Sequence, residues 1–513
     1  MKCSATRSKP FTAILFIALI ALNPLSAAAQ QIPFLNELFS RYEEFNRLYN
    51  EKRRAGANVA AIDALRKRGE EAFKRFDIRA ILEIEGEALA VLQSKAWDDR
   101  QKFISSLTLE TDRLVIEPNR ELQVSLTRMF PADIDKVFAS QPTVTFKIVA
   151  AKGEFAGRPL VMAEHLPVSE TSTNASRKLL LPDGEYWLIA EVTAGNQKIT
   201  ELRRPLYAIT DFSDSIAQLN KTIADIKSSS DAMVKAVAPL VTTPEFMLER
   251  LAQLNKTRGE VEINAISELD RVSDLLSALA KGQNPFAKER GEVERAYRAA
   301  DGQLVPYRVY LPKSYDGATA RPMVVMLHGA LGDERYYFSG LFDPAVIKGE
   351  AERRGYILVG TNGRGRLPQY NGAGMEDAIE VIKAVTRDYR IDPSRIYVTG
   401  HSMGAAGAWL LAANRPEMFA AIAPVSGAPL AQNDLFTRLL ERMKSIPVMV
   451  AHGGRDGIAL PQNSRDVAAA AQKAGLKVTL IEVPDADHLS VLAATFPAIL
   501  DFFDKNHKPA TPQ

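Results

Sequence analysis

One serine in this chain has neighbours that could turn its hydroxyl into a nucleophile. Ser402 stands in the pentapeptide Gly400-His401-Ser402-Met403-Gly404, which matches the pattern Gly-x-Ser-x-Gly. A strand-like run, Arg395–Thr399, precedes it, and small residues from Ala405 to Ala408 follow it. A strand–turn–helix of this kind needs small flanking residues, because the serine sits on a strained turn and the helix passes close to the strand. The pattern predicts a nucleophile, and a tight turn with an idle serine is the alternative.

Two further residues could activate that serine. A serine hydroxyl is a poor nucleophile until an imidazole accepts its proton, and a carboxylate holds the imidazole in the required tautomer. Asp456 follows the strand-like run 448–451, and His488 follows the run 478–483. We therefore predict a catalytic triad of Ser402, Asp456 and His488. An ordinary turn aspartate and a surface-loop histidine are the alternative interpretations of the last two.

A loop before the serine could stabilise the negative charge that forms on a substrate oxygen. The tripeptide His328-Gly329-Ala330 ends a strand-like run 72 residues before Gly400. Backbone N–H groups in such a loop can point at a developing oxyanion. We expect the N–H groups of Ala330 and of Met403, the residue after the nucleophile, to form this oxyanion hole.

Two competing interpretations of the same segment stay open. Asp485 and Asp487 are rivals for the role of the acid, but they stand too close to His488 to come from the preceding strand end. Several of the six histidines also end predicted strands, which allows a metal site instead: His328, His401, His452 and His488. Their spacing fits no helical zinc motif. We therefore predict neither a metal nor a cofactor.

The segment 285–507 alternates strand-like and helical runs. Most of its strand-like runs are strongly apolar, and the full set is 307–311, 323–327, 356–360, 395–399, 420–425, 448–451 and 478–483. Such runs between helices predict an α/β fold with a mainly parallel sheet that helices cover on both faces. Between Val425 and Val448 there is room for one helix only, near residues 433–444. We therefore expect a minimal cap and an open site, followed by a tail over residues 508–513.

The segment 30–284 has a different organisation. Apolar residues recur every three or four positions in residues 30–110 and again in residues 211–284, which predicts two helical segments. Between them, residues 111–210 contain short alternating runs separated by turn residues, as in a small antiparallel β-sandwich. We expect a structural or interaction module, with substrate binding as the alternative.

The first residues have the pattern of an export signal. Lys2, Arg7 and Lys9 precede an apolar run of about a dozen residues, and Ala27-Ala28-Ala29 offers a cleavage site. We predict a cleaved signal peptide over residues 1–29, hence a secreted or periplasmic protein without stable membrane insertion. An uncleaved N-terminal anchor is the alternative. Cleavage removes three positive charges and turns the formal net charge from +2 into −1.

Composition excludes several classes of function. The chain has 513 residues with 64 Lys and Arg against 62 Asp and Glu, which argues against a nucleic-acid binder that relies on bulk charge. Its single cysteine, Cys3, lies in the predicted leader. A disulfide scaffold and a cysteine nucleophile are therefore excluded for a mature chain. No feature of the sequence indicates an oligomeric state.

From Tyr307 to Phe503 the chain resembles the α/β-hydrolase superfamily. The resemblance is strongest to secreted polyhydroxybutyrate depolymerase and feruloyl esterase types and to prolyl-oligopeptidase-like catalytic domains. It rests on the His328-Gly329 loop, the run Asp392–Gly404, and His452-Gly453 before Asp456. The resemblance implies Ser402 as nucleophile, Asp456 as acid and His488 as general base. The chain departs from these relatives at Ala405, where they usually have a second glycine, and after Asp456, where they tend to have Val-Pro.

These features predict a secreted serine hydrolase that cleaves carboxylic esters through an acyl-enzyme on Ser402. Its partner would be an ester- or amide-bearing substrate that can be attached to a polymer. A serine peptidase of the prolyl-oligopeptidase type is the first alternative, although the N-terminal segment lacks the repeats of a propeller. A non-catalytic binding protein on a hydrolase fold is the second.

Overall fold

The computed structural model describes residues 34–55, 60–75, 77–134, 136–152, 159–255, 263–330, 332–339, 342–365, 370–429 and 434–509. The predicted leader, residues 1–29, lies outside these described residues. The chain divides into two compact units, Phe34–Lys288 and one that includes Glu289–Gln513. Within the described ranges, no helix combines the length and the apolar composition that crossing a membrane requires.

Four helices begin the first unit. They span Leu35–Arg54 (α1), Ala60–Lys74 (α2), Ile78–Leu92 (α3) and Asp99–Ser106 (α4). The carboxylates of Asp77 and Asp98 cap α3 and α4, since each accepts a hydrogen bond from the backbone N–H three residues later. The first three helices share one apolar cluster that includes Phe45, Ile62 and Leu92. Their helical periodicity therefore corresponds to a common buried face.

Two β-sheets follow in the same unit. Their strands are Leu107–Thr111 (β1), Val115–Ile116 (β2), Glu121–Arg128 (β3), Thr143–Ala150 (β4), Pro159–Pro167 (β5), Ser172–Lys178 (β6), Gly184–Ala194 (β7) and Gln197–Ala208 (β8). One sheet has the order β1-β3-β6 and the other the order β2-β8-β7-β4-β5. Leu122 and Val124 of the first sheet share a buried cluster with Val144 and Phe146 of the second. The two sheets therefore face each other across an apolar layer.

Two details of this unit differ from the sequence prediction. Strand β1 begins at Leu107, inside the segment 30–110 that was predicted to be helical, and it pairs with β3. Leu107 and Leu109 alternate with polar residues, which is a strand pattern at the end of a helical segment. In addition, β2 pairs with β8 in the parallel direction, so the sandwich is not wholly antiparallel. A strand of two residues is too short for its pattern to indicate a direction.

Helices complete the first unit. They span Phe212–Ser228 (α5), Ala232–Val237 (α6), Thr242–Gln253 (α7) and Ala265–Ala280 (α8), with a 3₁₀ turn at Ala238–Val241. Asp231 and Asn264 cap α6 and α8 with their side chains. The side-chain oxygen of Asn255 accepts hydrogen bonds from the backbone N–H groups of Leu114 and Val115. This amide fastens the end of the α7 segment to the β-sandwich.

The second unit is built on one eight-stranded sheet. Its strands are Gly291–Arg298 (β9), Leu304–Leu311 (β10), Arg321–Leu327 (β11), Ile357–Thr361 (β12), Ile391–His401 (β13), Ala421–Val425 (β14), Val448–Gly453 (β15) and Val478–Val483 (β16). Their order is β9-β10-β12-β11-β13-β14-β15-β16. Strand β10 is antiparallel to both neighbours, and the other pairs are parallel. The predicted, mainly parallel sheet is confirmed.

Strand β9 is absent from the strand-like runs found in the sequence. Its charged residues hide the pattern, because Glu294 and Arg295 are both buried. The guanidinium of Arg295 donates to Asp388 at 2.7 Å and to the hydroxyl of Tyr389 at 2.9 Å. A charge that is paired in the folded chain cannot be distinguished from an exposed one by its residue type.

Helices pack against this sheet, and consecutive residues of its central strands β11, β12, β14 and β15 are buried. They span Pro344–Arg354 (α9), Ala373–Asp388 (α10), Met403–Asn414 (α11), Asp434–Arg442 (α12), Pro461–Lys473 (α13) and Ser490–Asp504 (α14). Ala421 and Ala423 of β14 share a buried cluster with Phe496 and Phe503 of α14. Trp409 of α11 packs edge-on against a phenylalanine of α12. Because strands β11 to β16 run in the same direction, the loops after them gather at one edge of the sheet, and the candidate site residues lie in these loops.

Candidate active site

Ser402 occupies a strained position between β13 and α11. Its φ of +55° and ψ of −114° lie in a region that residues with a side chain rarely adopt. The backbone N–H of Ser402 donates to the carbonyl of Val425 at the end of the neighbouring strand, at 2.9 Å. Its own carbonyl accepts from the N–H of Ala405 at 3.0 Å. These bonds at both ends hold the serine in this conformation.

The glycines of the pentapeptide allow backbones to approach closely around Ser402. A Cβ atom on Gly400 would lie 2.0 Å from the carbonyl oxygen of Gly404, and one on Gly404 would lie 1.9 Å from that of Leu327. Outside the pentapeptide, a Cβ atom on Gly427 would lie 2.1 Å from the carbonyl oxygen of Ser402. All three obstacles are backbone atoms, which cannot rotate away. Glycine is therefore required at each position for this packing.

Asp456 and His488 are brought together from the turns after β15 and β16. Nδ1 of His488 lies 2.7 Å from Oδ2 of Asp456. The other oxygen, Oδ1, accepts hydrogen bonds from the backbone N–H groups of Ile458 at 2.9 Å and Ala459 at 2.8 Å. Burial alone would raise the pKa of Asp456, but the charge of His488 and hydrogen bonds from two imidazoles hold that pKa well below its ordinary value. Asp456 is therefore a carboxylate whose orientation is fixed by these hydrogen bonds.

His401 links the serine turn to the His488 loop. Its Nε2 lies 2.5 Å from the carbonyl oxygen of His488, and its Nδ1 lies 2.9 Å from the hydroxyl of Tyr336. Burial lowers the pKa of His401 to about 3, so the ring is neutral at physiological pH. Nε2 then donates to the carbonyl, and Nδ1 accepts from the tyrosine. Because Ser402 follows His401 directly, this bond keeps the two predicted catalytic loops adjacent.

The structure does not join the serine to the histidine. Among the hydrogen bonds of the described residues there is none between the Ser402 hydroxyl and His488. Such bonds are often long in structures without substrate and shorten when a substrate binds. The serine–histidine contact of the predicted triad stays a prediction.

The predicted oxyanion loop lies against the beginning of α11. Nδ1 of His328 lies 2.7 Å from the carbonyl oxygen of Gly329. A Cβ atom on Gly404 would lie 2.7 Å from the carbonyl oxygen of His328, so the loop and the first turn of the helix are in contact. Ala330 and Met403 thus belong to adjacent segments. Their roles as oxyanion donors stay predictions.

A buried carboxyl group that the sequence did not indicate supports this loop from the next strand end. Nε2 of His328 lies 2.8 Å from the carbonyl oxygen of Asn362, in the turn after β12. The following N–H, that of Gly363, donates to Oδ2 of Asp377 at 2.6 Å. The hydroxyl of Tyr297 donates to the other oxygen of Asp377 at 2.5 Å. Burial raises the pKa of Asp377 to about 6 despite these bonds.

His452 is the second contact that sequence reasoning missed. This fully buried side chain places Nε2 at 3.0 Å from Oδ2 of Asp456, the same oxygen that His488 contacts. Its Nδ1 lies 2.6 Å from Oγ of Ser464. The sequence signal for this contact is that His452 stands four residues before Asp456, separated from it by a turn that contains Gly453 and Gly454. As for the metal alternative, the described residues contain no group of three or more His, Cys, Asp or Glu side chains arranged to hold an ion.

The two rival acids make other contacts. Asp485 is exposed and accepts from the guanidinium of Arg455 at 2.6 Å. Oδ1 of Asp487 accepts from the backbone N–H and the hydroxyl of Ser490, at the beginning of α14. The ring of His488 is bonded to Asp456 and to neither of these side chains.

Comparison with known proteins finds a family similar to part of the second unit. Residues 300–474 match the model of the Esterase family. This match covers β10 to β15 and both segments that carry Ser402 and Asp456. His488 lies beyond its end.

Three curated relatives are similar to parts of the chain. "Uncharacterized peptidase YuxL" of Bacillus subtilis (strain 168) is 23% identical over 276 residues, which are 44% of this chain and 41% of the relative. "Feruloyl esterase B" of Talaromyces stipitatus is 28% identical over 141 residues, 25% of this chain and 37% of the relative. "Poly(3-hydroxyalkanoate) depolymerase C" of Paucimonas lemoignei is 32% identical over 90 residues, 16% of this chain and 22% of the relative.

The chain thus spans less than half of the length of each of these relatives. The family match, the mainly parallel sheet and the serine turn at the end of its fifth strand agree with one another. Residues 300–474 are therefore similar to the Esterase family, and the second unit has the mainly parallel sheet and the strained serine turn expected of an α/β-hydrolase.

Proposed function

We propose that the chain is a secreted serine hydrolase that cleaves carboxylic esters through an acyl-enzyme on Ser402. One observation carries the proposal: Nδ1 of His488 is bonded to the Asp456 carboxylate at 2.7 Å, in the loop that His401 ties to the strained serine. This bond fixes the proton on Nδ1 and leaves Nε2 free to accept a proton.

The two halves of the reaction follow from that tautomer. Oγ of Ser402 attacks the ester carbonyl carbon while Nε2 of His488 takes the hydroxyl proton. The C–O bond to the alcohol then breaks, and the alcohol leaves with that proton, so that an acyl ester on Ser402 remains. Water attacks this ester, His488 takes a proton from the water, and the carboxylic acid leaves as the proton returns to Oγ. Asp456 stays ionised and stabilises the imidazolium in both halves.

The charge that develops on the carbonyl oxygen needs donors at the adjoining segments. The backbone N–H groups of Ala330 and Met403 are the proposed donors. Support comes from the contact between the His328 loop and the first turn of α11. Two preorganised donors of this kind are worth several kcal/mol to the transition state, about 2.7–4 kcal/mol for each donor removed.

The proposed substrates are esters attached to a larger or polymeric molecule. Two relatives support this class by their names, a feruloyl esterase and a poly(3-hydroxyalkanoate) depolymerase. The segment between β14 and β15 supports it as well, since its described part contains one short helix, Asp434–Arg442. Removal of the predicted leader would deliver the enzyme to the periplasm or the medium, and N-terminal sequencing of exported protein tests for a start at Gln30.

A fluorophosphonate probe tests the proposal directly. Wild-type protein and Ser402→Ala are treated with the probe, and Ser426→Ala is the matched control. Ser426 also has a positive φ, +50°, and follows the neighbouring strand, but it is fully buried. We expect wild type and Ser426→Ala to be labelled and Ser402→Ala to stay unlabelled. An unlabelled wild type would refute both the esterase and the serine peptidase.

A peptidase is the second candidate, because the relative with the longest matched segment of the three is named a peptidase. The triad and the chemistry would be the same, with an amine as the leaving group. Hydrolysis of a panel of 4-nitrophenyl esters is compared with that of prolyl and other aminoacyl arylamides. A kcat/KM for an arylamide above that of every ester would decide in favour of the peptidase.

A further inference from the structure

A second imidazole, that of His452, lies beside Asp456 of the proposed triad. His452 is the fifth residue of β15, and its ring is fully buried. Nε2 faces two oxygens, Oδ2 of Asp456 at 3.0 Å and the carbonyl of Ala459 at 2.8 Å. Nδ1 faces one hydroxyl, Oγ of Ser464 at 2.6 Å.

These partners determine the tautomer of His452. A carboxylate and a carbonyl can only accept, so Nε2 must carry a proton that it shares between them. The Ser464 hydroxyl can donate, and it then satisfies an unprotonated Nδ1. With its proton on Nε2, the ring donates towards Asp456, and all three partners are satisfied.

The two oxygens of the Asp456 carboxylate consequently have four hydrogen-bond donors around them, which is all that a carboxylate can accept. Its Oδ1 accepts from the N–H groups of Ile458 and Ala459. Its Oδ2 accepts from Nε2 of His452 and from Nδ1 of His488. Four donors fix the orientation of the carboxylate, and the two imidazoles compete for the charge on one oxygen.

We propose that His452 is a positioning residue, which orients the Asp456 carboxylate and weakens its hold on the His488 imidazolium. The inference rests on the proposed function, in which His488 is the base. A hydrogen bond to Oδ2 from His452 draws negative charge away from the bond to His488. Without the hydrogen bond from His452, the imidazolium form of His488 is more stable, so His488 loses its proton only at a higher pH.

The other titratable groups around this pair are few. His401 faces His488 with ring centroids 4.7 Å apart, and burial keeps it neutral. Asp487 precedes His488 and caps α14, and the exposed pair Arg455–Asp485 lies on the same two turns. Within the described ranges, none of these side chains forms a hydrogen bond to Asp456. A change at His452 therefore reaches His488 through Asp456.

Two amide substitutions test whether the effect of His452 requires a donor at the place of Nε2 or only a polar side chain at this position. The side-chain nitrogen of Gln can occupy the place of Nε2 and donate to Asp456, so His452→Gln retains the contact. The shorter Asn reaches only the place of Nδ1, towards Ser464, so His452→Asn loses it. Both variants are made in the full chain, and active enzyme is counted by fluorophosphonate titration before kcat and KM are measured from pH 5 to 9.

For His452→Asn we expect kcat per titrated site to fall roughly tenfold, which is the order of loss seen when a residue that orients a metal ligand is removed. KM should stay within about twofold of the wild-type value. The acidic limb of kcat/KM should move up by about half a pH unit. His452→Gln should restore both quantities to within about twofold of wild type. If Asn fails to fold, Ser464→Ala, which removes the donor to Nδ1, should move the acidic limb in the same direction.

A merely structural role would lower the titrated fraction and the melting temperature without moving the acidic limb. An unmoved limb in both His452→Asn and Ser464→Ala would therefore overturn the inference, as would a Gln variant as impaired as the Asn variant. These failures differ from failure of the proposed function, in which the wild type neither hydrolyses esters nor reacts with the probe.

Discussion

Asp456→Asn is the perturbation whose local outcome the structure specifies most closely. Two backbone N–H groups, those of Ile458 and Ala459, point at Oδ1 at 2.9 and 2.8 Å. The amide oxygen of Asn must stay at this position to accept them. The amide nitrogen then replaces Oδ2 and presents its own hydrogens to the imidazoles of His452 and His488.

The expected decrease in kcat follows from the hydrogen bonds that Asp456→Asn removes. Each imidazole loses a hydrogen bond to a charged acceptor, which is worth about 1.5–3 kcal/mol. His488 can accept from the new amide only by moving its proton to Nε2, where it can no longer take the proton of Ser402. A barrier higher by roughly 3–6 kcal/mol lowers kcat by about two to four powers of ten.

The assay is steady-state hydrolysis of a 4-nitrophenyl ester at pH 8, with the thermal melt of each variant as a check on folding. Asp485→Asn is the matched control, since Asp485 lies three residues before His488 but pairs with Arg455 at the surface. It should keep kcat within about twofold, because an exposed ion pair contributes little. An Asp456→Asn enzyme that folds and retains kcat within tenfold, or an equal loss in Asp485→Asn, would refute the assignment of the acid.

Three further outcomes are expected. Gly404→Ala should abolish probe labelling, because its Cβ would lie 1.9 Å from the backbone oxygen of Leu327, whereas Gly349→Ala, which meets no atom within 4 Å, should label normally. Tyr336→Phe removes the hydroxyl on Nδ1 of His401; calorimetry should show a loss of about 1 kcal/mol, and KM should not change. Burial raises the pKa of Asp377 from 3.8 to about 6, so its contribution to stability is present below pH 3.8 and lost as pH rises through 6. The free energy of unfolding of Asp377→Asn, measured by calorimetry relative to wild type, should therefore rise by roughly 3 kcal/mol between pH 4 and pH 8. A difference between the two proteins that does not change with pH would contradict the raised pKa.

Much of the second unit could be predicted from the sequence, because most of its strands are strongly apolar. The strand-like runs found in the sequence correspond to β10 to β16, and the residues after β13, β15 and β16 include Ser402, Asp456 and His488. The carboxyl ends of parallel strands meet at one edge, so position relative to a strand end already indicates nearness in space. The contact between His488 and Asp456 at 2.7 Å agrees with that reasoning.

Other features required the tertiary structure. Strand β9 escaped notice because Arg295 is buried against Asp388, a pairing across 93 residues that no local pattern records. The parallel pairing of β2 with β8 escaped notice because two residues show no periodicity. In the first unit, alternation marks strands, but it does not say which strand neighbours which.

Within the site, the order of residues along the chain specifies which residue types stand at the strand ends, and these types predict the class of chemistry. The hydrogen bonds among these residues depend on the folded chain. The sequence patterns assigned no part in the triad to His452 or His401, yet His452 lies 3.0 Å from Asp456 and His401 contacts the carbonyl oxygen of His488. A hydrogen bond depends on distance and direction between atoms from separate loops. Those quantities are set by packing of the whole sheet and its helices, so no local run of residues can specify them.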